Sequence, residues 1–299
     1  MATPTARTAT IATTELPEAP STAPIRGQAG RLEVRAAVSG GRTRFTHVLQ
    51  RPPLGISRAL PADPREPRMA MAMVTSAAGG VLQGDRLEMD VRVEAGAWLV
   101  LGTQSATRFY RMPDATARLT TTLEVAADAW LEVVPDPWIP YAGAAIRSHT
   151  DARVASGGVL VLMEIVTAGR SSRGESFAFA RVESHTEIAV DGLPRAADTL
   201  ILAPGDRDGL LARVGPDAAV GSLFVVAPGR DPGVLADALA GATGTTSDWA
   251  GASTLPGDAG AWLRTVSRDP GAARALLLAG WAAARGALGA SPPPPDRRA

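Results

Sequence analysis

No cysteine occurs anywhere in the 299-residue chain. Disulfides, thiolate metal sites and cysteine nucleophiles are therefore excluded. Lysine is missing too, and all 30 basic residues are arginine. With so much Ala and Gly alongside, this reads as the bias of a GC-rich genome. It still removes a chemistry, because no side chain can form a Schiff base or hold a phosphate as a P-loop lysine does. An excess of charge is also lacking: 30 basic residues face 30 acidic ones, and the pI is near 6.9. Nucleic acid and anionic membranes both reward a basic excess, so neither is expected as a partner. No stretch offers the ~18 uninterrupted apolar residues of a membrane span. The first residues lack the apolar run of a signal peptide. The expectation is a soluble cytoplasmic protein.

What is present is enough hydrophobic sequence, 45%, to bury a sizeable core. Residues 1–28 are rich in Thr, Ala and Pro without hydrophobic period and read as a disordered tail, as do residues 291–299. From Leu32 to about Val226 the dominant pattern is alternation, as in "LEMDVRV" and "FAFARVESHTEIAV", which argues half-buried strands. Helical signals come late. Asp231-Pro232 is an N-cap followed by proline at the first helical position, with Leu235 and Leu239 four apart after it. Asp258 is positioned to cap a segment carrying Trp262, Leu263 and Val266. Asp269-Pro270 opens a third, with Leu277, Trp281 and Leu288 on one face. The division expected is a β-helical domain over 29–230 and a helical part over 231–290 packed on it.

The strand region repeats at about 30 residues, the period of stacked supersecondary units. When "RLEMDVRVEAGAWLVLGT" is set above "RLTTTLEVAADAWLEVVP", Arg86 and Leu87 fall on Arg118 and Leu119, and Trp98 and Leu99 on Trp130 and Leu131. In a weaker third copy Val154, Gly157, Leu160 and Leu162 fall on Val93, Gly96, Leu99 and Leu101. A marginal fourth lies near "ARVGPDAAVGSLFVV". Each unit reads strand, tight turn ("EAGA", "AADA", "ASGG"), strand. Such units bury together a core that none could bury alone. The fold expected is mainly β: a β-helical, solenoid-like stack of sheets with two or three C-terminal α-helices. A two-sheet sandwich of hairpins would leave a similar pattern.

Candidate chemistry is sparse. "GGVLQGD" (79–85) has the glycine spacing of a phosphate loop, but Asp85 stands where the lysine belongs, and a strand pattern follows instead of a helix. The glycines are better read as turn residues, with Asp85 bonding nearby N–H groups. His47, His149 and His185 show no metal-ligand spacing. "SHTD" (148–151) and "SHTE" (184–187) each combine Ser, His and a carboxylate, yet neighbours on a strand point to alternate faces, so no triad can converge within either. In "LMEIVTAGRSSRGESF" (162–177), Glu164 lies in an apolar strand and needs a partner. Arg170, Arg173 and Glu175 read first as an ion pair pinning a glycine turn. A solenoid with paired carboxylates is alternatively a polysaccharide hydrolase or lyase, but the aromatics expected along its groove are only 4% of the chain.

Taken together, "GGVLQGD", "GTQSATRFYR" (102–111), "PDPWIPYAGA" (135–144), "MEIVTAGRSSRGESF" (163–177) and "ARVESHTEIAVDG" (180–192) resemble, in order and spacing, the urease accessory protein D family (UreD, called UreH in some organisms). The family pattern is met by Gly79, Gly80, Gly84 and Asp85; by Thr103, Gln104, Ser105, Ala106 and Thr107, with Arg108 in place of the usual lysine; and by Glu164, Gly169, Arg170, Gly174 and Glu175. The N-terminal tail is longer than the family's, and the C-terminal helices carry no motif that matches. The resemblance implies a β-helical, non-catalytic scaffold that docks on apo-urease with a UreF-like helical partner and a UreG-like GTPase. Together they deliver nickel, with carbon dioxide for a lysine carbamate, in a GTP-dependent step. No tightly bound cofactor is implied, only nickel in transit. A path of carboxylates, carbonyls and water would bind weakly and release readily, and Glu164, Glu175 and Asp85 are its candidates. The C-terminal helices (231–289) are expected to face the UreF-like partner.

Overall fold

A computed structural model describes residues 27–205, 207–244 and 249–294. The tails expected to be disordered fall mostly outside this range. The described core is a β-solenoid of about four turns, mainly strand with three helices. It opens with an antiparallel pair, β1 (Ala29–Ser39) and β2 (Arg42–Arg51), then two short strands, β3 (Leu54–Ile56) and β4 (Leu60–Asp63), and β5 (Glu66–Ser76). The rungs follow. The first is β6 (Arg86–Val93), β7 (Trp98–Thr103) and β8 (Thr107–Phe109). The second is β9 (Ala117–Val125), β10 (Trp130–Val133) and β11 (Trp138–Pro140). The third is β12 (Ala145–Val154) and β13 (Val159–Thr167), closed by the two-residue strands β14 (Gly169–Arg170) and β15 (Glu175–Ser176). The chain then makes the hairpin β16 (Arg181–Val190) and β17 (Leu193–Leu202), helix α1 (Arg207–Val214), β18 (Ala219–Val226), α2 (Pro232–Thr243), β19 (Trp249–Thr254), β20 (Gly260–Ser267) and α3 (Pro270–Ala287).

Two sheets result. The first runs β17-β16-β12-β9-β6-β1-β2, and the second β19-β20-β18-β13-β10-β7-β5-β3. Their parallel centres carry the sequence repeat as physical register. Arg86 pairs with Arg118, Trp98 with Trp130, and Val93, Val125 and Val154 lie in one row. Leu99, Leu131 and Leu160 form the corresponding row on the second sheet. Identical side chains stack because one face of each rung is buried, and a slip of one residue would turn every apolar group outward. The turns stack as well: Gly96, Asp128 and Gly157 all take positive φ (74°, 57° and 80°), the left-handed conformation that glycine adopts freely and Asp tolerates.

The fourth rung lies elsewhere than expected. "ARVGPDAAVGSLFVV" does not continue the parallel stack, because β18 pairs antiparallel with β13. The fourth strand of the first sheet is instead β16, parallel to β12, with Ser148, His149, Thr150 and Asp151 opposite Ser184, His185, Thr186 and Glu187. The resemblance between "SHTD" and "SHTE" is thus a repeat in register.

Of the expected helices, α2 and α3 begin where their Asp-Pro caps place them. Asp231 accepts from the backbone of Gly233 and Val234, and Asp269 from Ala272. Leu235, Leu239, Leu277, Trp281 and Leu288 are buried against the outer face of the second sheet; full burial of such side chains is worth roughly 1.5–3 kcal/mol each. The segment after Asp258 is a strand, not a helix. Leu263 turns to the helix layer while Trp262 turns between the sheets, stacking on Phe224 at 5.8 Å, so the true period there is two. Gly260 admits the strand, since a Cβ on it would lie 2.0 Å from the Val225 carbonyl oxygen. Helix α1 was not foreseen; none of its residues is buried.

Candidate functional site

Between the sheets lie two apolar clusters. One is built around Val91, Leu123, Ala152 and Ile188, the other around Leu87, Ile146, Phe109 and Val182. The layer separating them is polar. On the first sheet Thr121, Thr150, Thr186 and Asp198 form a row across β9, β12, β16 and β17. On the second, Glu164, Ser222 and Arg264 form a row across β13, β18 and β20. Alternation explains this: at a few inward positions the repeat carries Ser, Thr or Glu where its neighbours carry Val or Leu. A cavity of about 410 Å³ occupies the layer, lined among others by Met89, Thr121, Thr150, Thr186 and Glu164.

The mouth of this cavity is built from motif residues. Gly79, Gly80, Thr103, Gln104, Ser105 and Thr107 all line it, and Gln104, Ser105 and Arg108 are exposed. Thr103 Oγ1 accepts from the Asp136 N–H at 2.8 Å, and Gln104 N donates to the Val74 carbonyl, so the loop is tied to strands on either side. Gly80 must be small: a Cβ there would lie 2.5 Å from the Tyr110 ring and 2.7 Å from the Arg108 carbonyl oxygen. Gly79 and Gly84 have φ of 69° and 72°, as expected of turn residues.

The three candidate carboxylates occupy different situations. Glu164 borders the deep part of the cavity and accepts one hydrogen bond, from Ser184 Oγ at 2.6 Å. Burial away from bulk water pushes its carboxyl above the usual range; the Ser184 bond pulls it back by less, nearby Asp198 adds to the rise and Arg264 opposes it. Asp85 is fully buried and is taken up by the Gln28 and Leu82 N–H groups at 2.8 and 2.9 Å. It is not among the cavity's lining residues. Gln28, at the end of the expected tail, is held by this contact and accepts from Arg86 N.

Glu175 also stands outside the lining. It takes the Arg170 guanidinium as a fork, Nε to Oε2 at 2.8 Å and Nη2 to Oε1 at 2.5 Å, and accepts from Ala142 N. The Arg170 bond is the main reason its carboxyl sits below the usual range. Arg170 lies 3.9 Å over the Tyr141 ring. Gly169 takes φ of 120° where a Cβ would meet the Glu175 and Pro140 carbonyl oxygens, and Gly174 caps the turn at φ 73°. This motif therefore pins a hairpin.

The "SHTD" and "SHTE" strands alternate as the sequence predicts, but that their inward hydroxyls border a cavity was not legible in it. Ser184 and Thr186 are buried inward, with Ser148 and Thr150 beside them on the cavity. His149 and His185 stack at 5.3 Å on the opposite face, where His185 meets Glu187 and Thr199. Serine and histidine of one strand are thus on opposite sides of the sheet. Among the described residues no group of three or more His, Asp or Glu is placed to hold a metal ion, and no helix is long and apolar enough to cross a membrane.

The profile of the family described as "UreD urease accessory protein" matches residues 28–299. "Urease accessory protein UreD 2" of Streptomyces griseus subsp. griseus is 37% identical over 247 residues, covering 81% of this chain and 84% of the relative. "Urease accessory protein UreD" of Haloarcula marismortui is 33% identical over 288 residues, covering 96% and 95%, and that of Natronomonas pharaonis 32% identical over 286 residues, covering 95% of each. These relatives are named as accessory proteins rather than catalysts, which sets aside the polysaccharide-acting alternative. Motifs, solenoid and similarity along nearly the whole described chain agree: it belongs to the UreD family of urease accessory proteins.

Proposed function

We propose that this chain is a scaffold in the maturation of urease, acting in the cytoplasm with a UreF-like protein, a UreG-like GTPase and apo-urease, and that nickel is its cargo. The observation that carries the reading is the polar layer: a cavity whose mouth is built from motif residues and whose deep end holds Glu164. A divalent cation moving through a protein needs oxygen donors spaced closely enough to hand it on, but not enough of them at one point to trap it. Hydroxyls from Thr121, Thr150 and Thr186 with a single carboxylate meet that description. Nickel binding at Glu164 also requires loss of its proton, so uptake there is coupled to proton release. No cofactor is assigned to the chain itself.

The UreF-like partner is assigned to the helical side. Much of α3 is committed to the sheet, but Val234 on α2 and Trp249 on β19 are 51% and 60% exposed, and exposed rings are favoured at interfaces. Trp249→Glu is expected to abolish co-purification with that partner while leaving Tm unchanged.

The test of the cargo is urease nickel content after co-expression with Glu164→Gln. The variant keeps the shape of the side chain and an acceptor for Ser184 while removing the charge. At least a tenfold loss of nickel in urease, with co-purification intact, is expected. Undiminished loading would remove Glu164 from the path.

A further inference from the structure

The polar layer does not stop at the cavity. Beyond Glu164 it continues through Ser222 to Arg264 on one sheet, and through Thr186 to Asp198 on the other. There an ion pair joins the two rows, Arg264 Nη2 donating to Asp198 Oδ2 at 2.5 Å. The mouth lies at the β5–β7 end of the layer and this ion pair at the β17–β20 end, so the layer spans most of the width of the solenoid.

Three features make this pair a closure rather than a rivet. It is held through a single nitrogen, not the two-pronged fork that strengthens arginine–carboxylate contacts, and Arg264 Nε has no hydrogen-bond partner among the described residues. The side chains of Arg264 and Asp198 are 23% and 20% exposed, so a group outside the protein can reach them. Arg264 also lies 5.0 Å over the Trp262 ring, which stacks on Phe224, a lining residue of the cavity. The guanidinium thus covers a ring that packs directly against the cavity wall.

We propose that the Asp198–Arg264 pair is a displaceable gate that keeps the far end of the polar layer shut in the free chain. It opens when a docked partner offers Arg264 a competing carboxylate. With the guanidinium withdrawn, Asp198 is released beside Glu164, and the layer becomes a passage with two ends. The free chain thus exposes one end only, and cargo entering at the mouth cannot pass out at the far end until a partner is in place. What passes rests on the cation-path reading above; the closure is a separate statement about access.

The absence of native cysteine makes the test clean. Ser222→Cys places a thiol of nearly the same size beyond Glu164, at a position 4% exposed and outside the cavity lining. Its modification by a small cationic methanethiosulfonate is measured in the full chain, with and without Arg264→Gln or Asp198→Asn. A thiol at Ala36, fully buried in the apolar cluster, reports loosening of the fold in the same backgrounds. The gate predicts at least a tenfold faster reaction at Ser222→Cys in either background, with Ala36→Cys unchanged. An unchanged rate at Ser222→Cys overturns it, and so does an equal rise at both thiols. Undiminished nickel loading with Glu164→Gln, alongside the expected labelling, would instead discard the cargo and leave the gate.

Discussion

Glu132 and Glu164 occupy neighbouring parallel strands, β10 and β13, and face opposite sides of the second sheet. Glu132 points to the helix layer, where Trp98 Nε1, Trp281 Nε1 and Arg285 Nη1 all donate to it, at 2.8, 2.6 and 2.7 Å. Glu132 and Arg285 are both fully buried. Glu164 points into the cavity with one donor, Ser184. Burial raises the carboxyl of each, but only Glu132 receives what a buried charge needs to be held in place. A satisfied buried carboxylate fixes structure: here it joins α3 to the sheet, and Arg285 Nε reaches on to the Ser291 carbonyl. One that borders a polar cavity and takes a single hydrogen bond from the protein is open to another purpose.

The comparison breaks most visibly at Glu132. Glu132→Gln or Arg285→Met leaves a buried partner uncompensated and is expected to cost about 3–5 kcal/mol, a fall in Tm of roughly 10 °C. Replacing both, as Glu132→Leu with Arg285→Met, should recover most of that loss, because removing the pair together strands no charge. A double variant no more stable than the singles would mean that the indole bonds, not the ion pair, hold the helix. This also bears on truncation: deleting residues 269–299 would remove α3 and orphan Glu132, so lost co-purification in that variant would reflect lost fold.

Asp85 sharpens the same contrast from a turn. Its two acceptor bonds go to the backbone N–H groups of Gln28 and Leu82, so Asp85→Ala leaves two donors unmatched and should cost about 2–3 kcal/mol in thermal unfolding. Nickel loading per folded molecule should stay unchanged, and a loss there would place Asp85 in the path after all.

Glu164→Gln should move stability the other way. The folded chain holds the Glu164 proton more tightly than the unfolded chain, so ionisation weakens the fold as pH rises past the ordinary carboxylate value. The substitution removes that penalty. Its Tm advantage should be near zero below the ordinary carboxylate value and grow as pH rises above it. A variant that is more stable but loads less nickel would set Glu164 apart from Glu132 in one experiment.

What was legible in the sequence follows from whether the signal is local. The rungs could be read because Trp98 and Trp130, or Leu99 and Leu131, recur at the spacing that stacks them, and the register is fixed by the same alternation that buries them. The α2 and α3 caps could be read because Asp-Pro acts within a few residues. Trp262 and Leu263 misled because a capping Asp before apolar residues suits a helix as well as a strand, and only pairing with β18 decides between them. The polar layer could not be read at all. Each Thr or Ser is ordinary within its own strand, and the layer exists only once two distant sheets face each other. Ser184 with Glu164, and Asp198 with Arg264, are such cross-sheet pairs. The glycine and Arg–Glu motifs showed where the turns are, but not that the glycine turn and the Thr103–Thr107 stretch frame a mouth.

The smallest effect is expected at Glu175, whose carboxylate is shared with a partly exposed arginine. Its ion pair with Arg170 is partly exposed, at 22% and 30% of the two side chains, and such pairs are screened by water and salt. Glu175→Gln should therefore lower Tm by less than about 2 °C at neutral pH. The sign with pH is opposite to that at Glu164. Arg170 holds the folded carboxyl below its ordinary value, so the stabilisation is complete above that value and disappears as pH falls through the folded one. The native chain and the variant should converge in strong acid, and 1 M salt should narrow their difference at neutral pH, since the Debye length is then about 3 Å. A variant as stable as the native chain at every pH would leave Gly169 and Gly174 as the features that hold the hairpin. A loss of nickel loading without any change in Tm would move Glu175 into the company of Glu164.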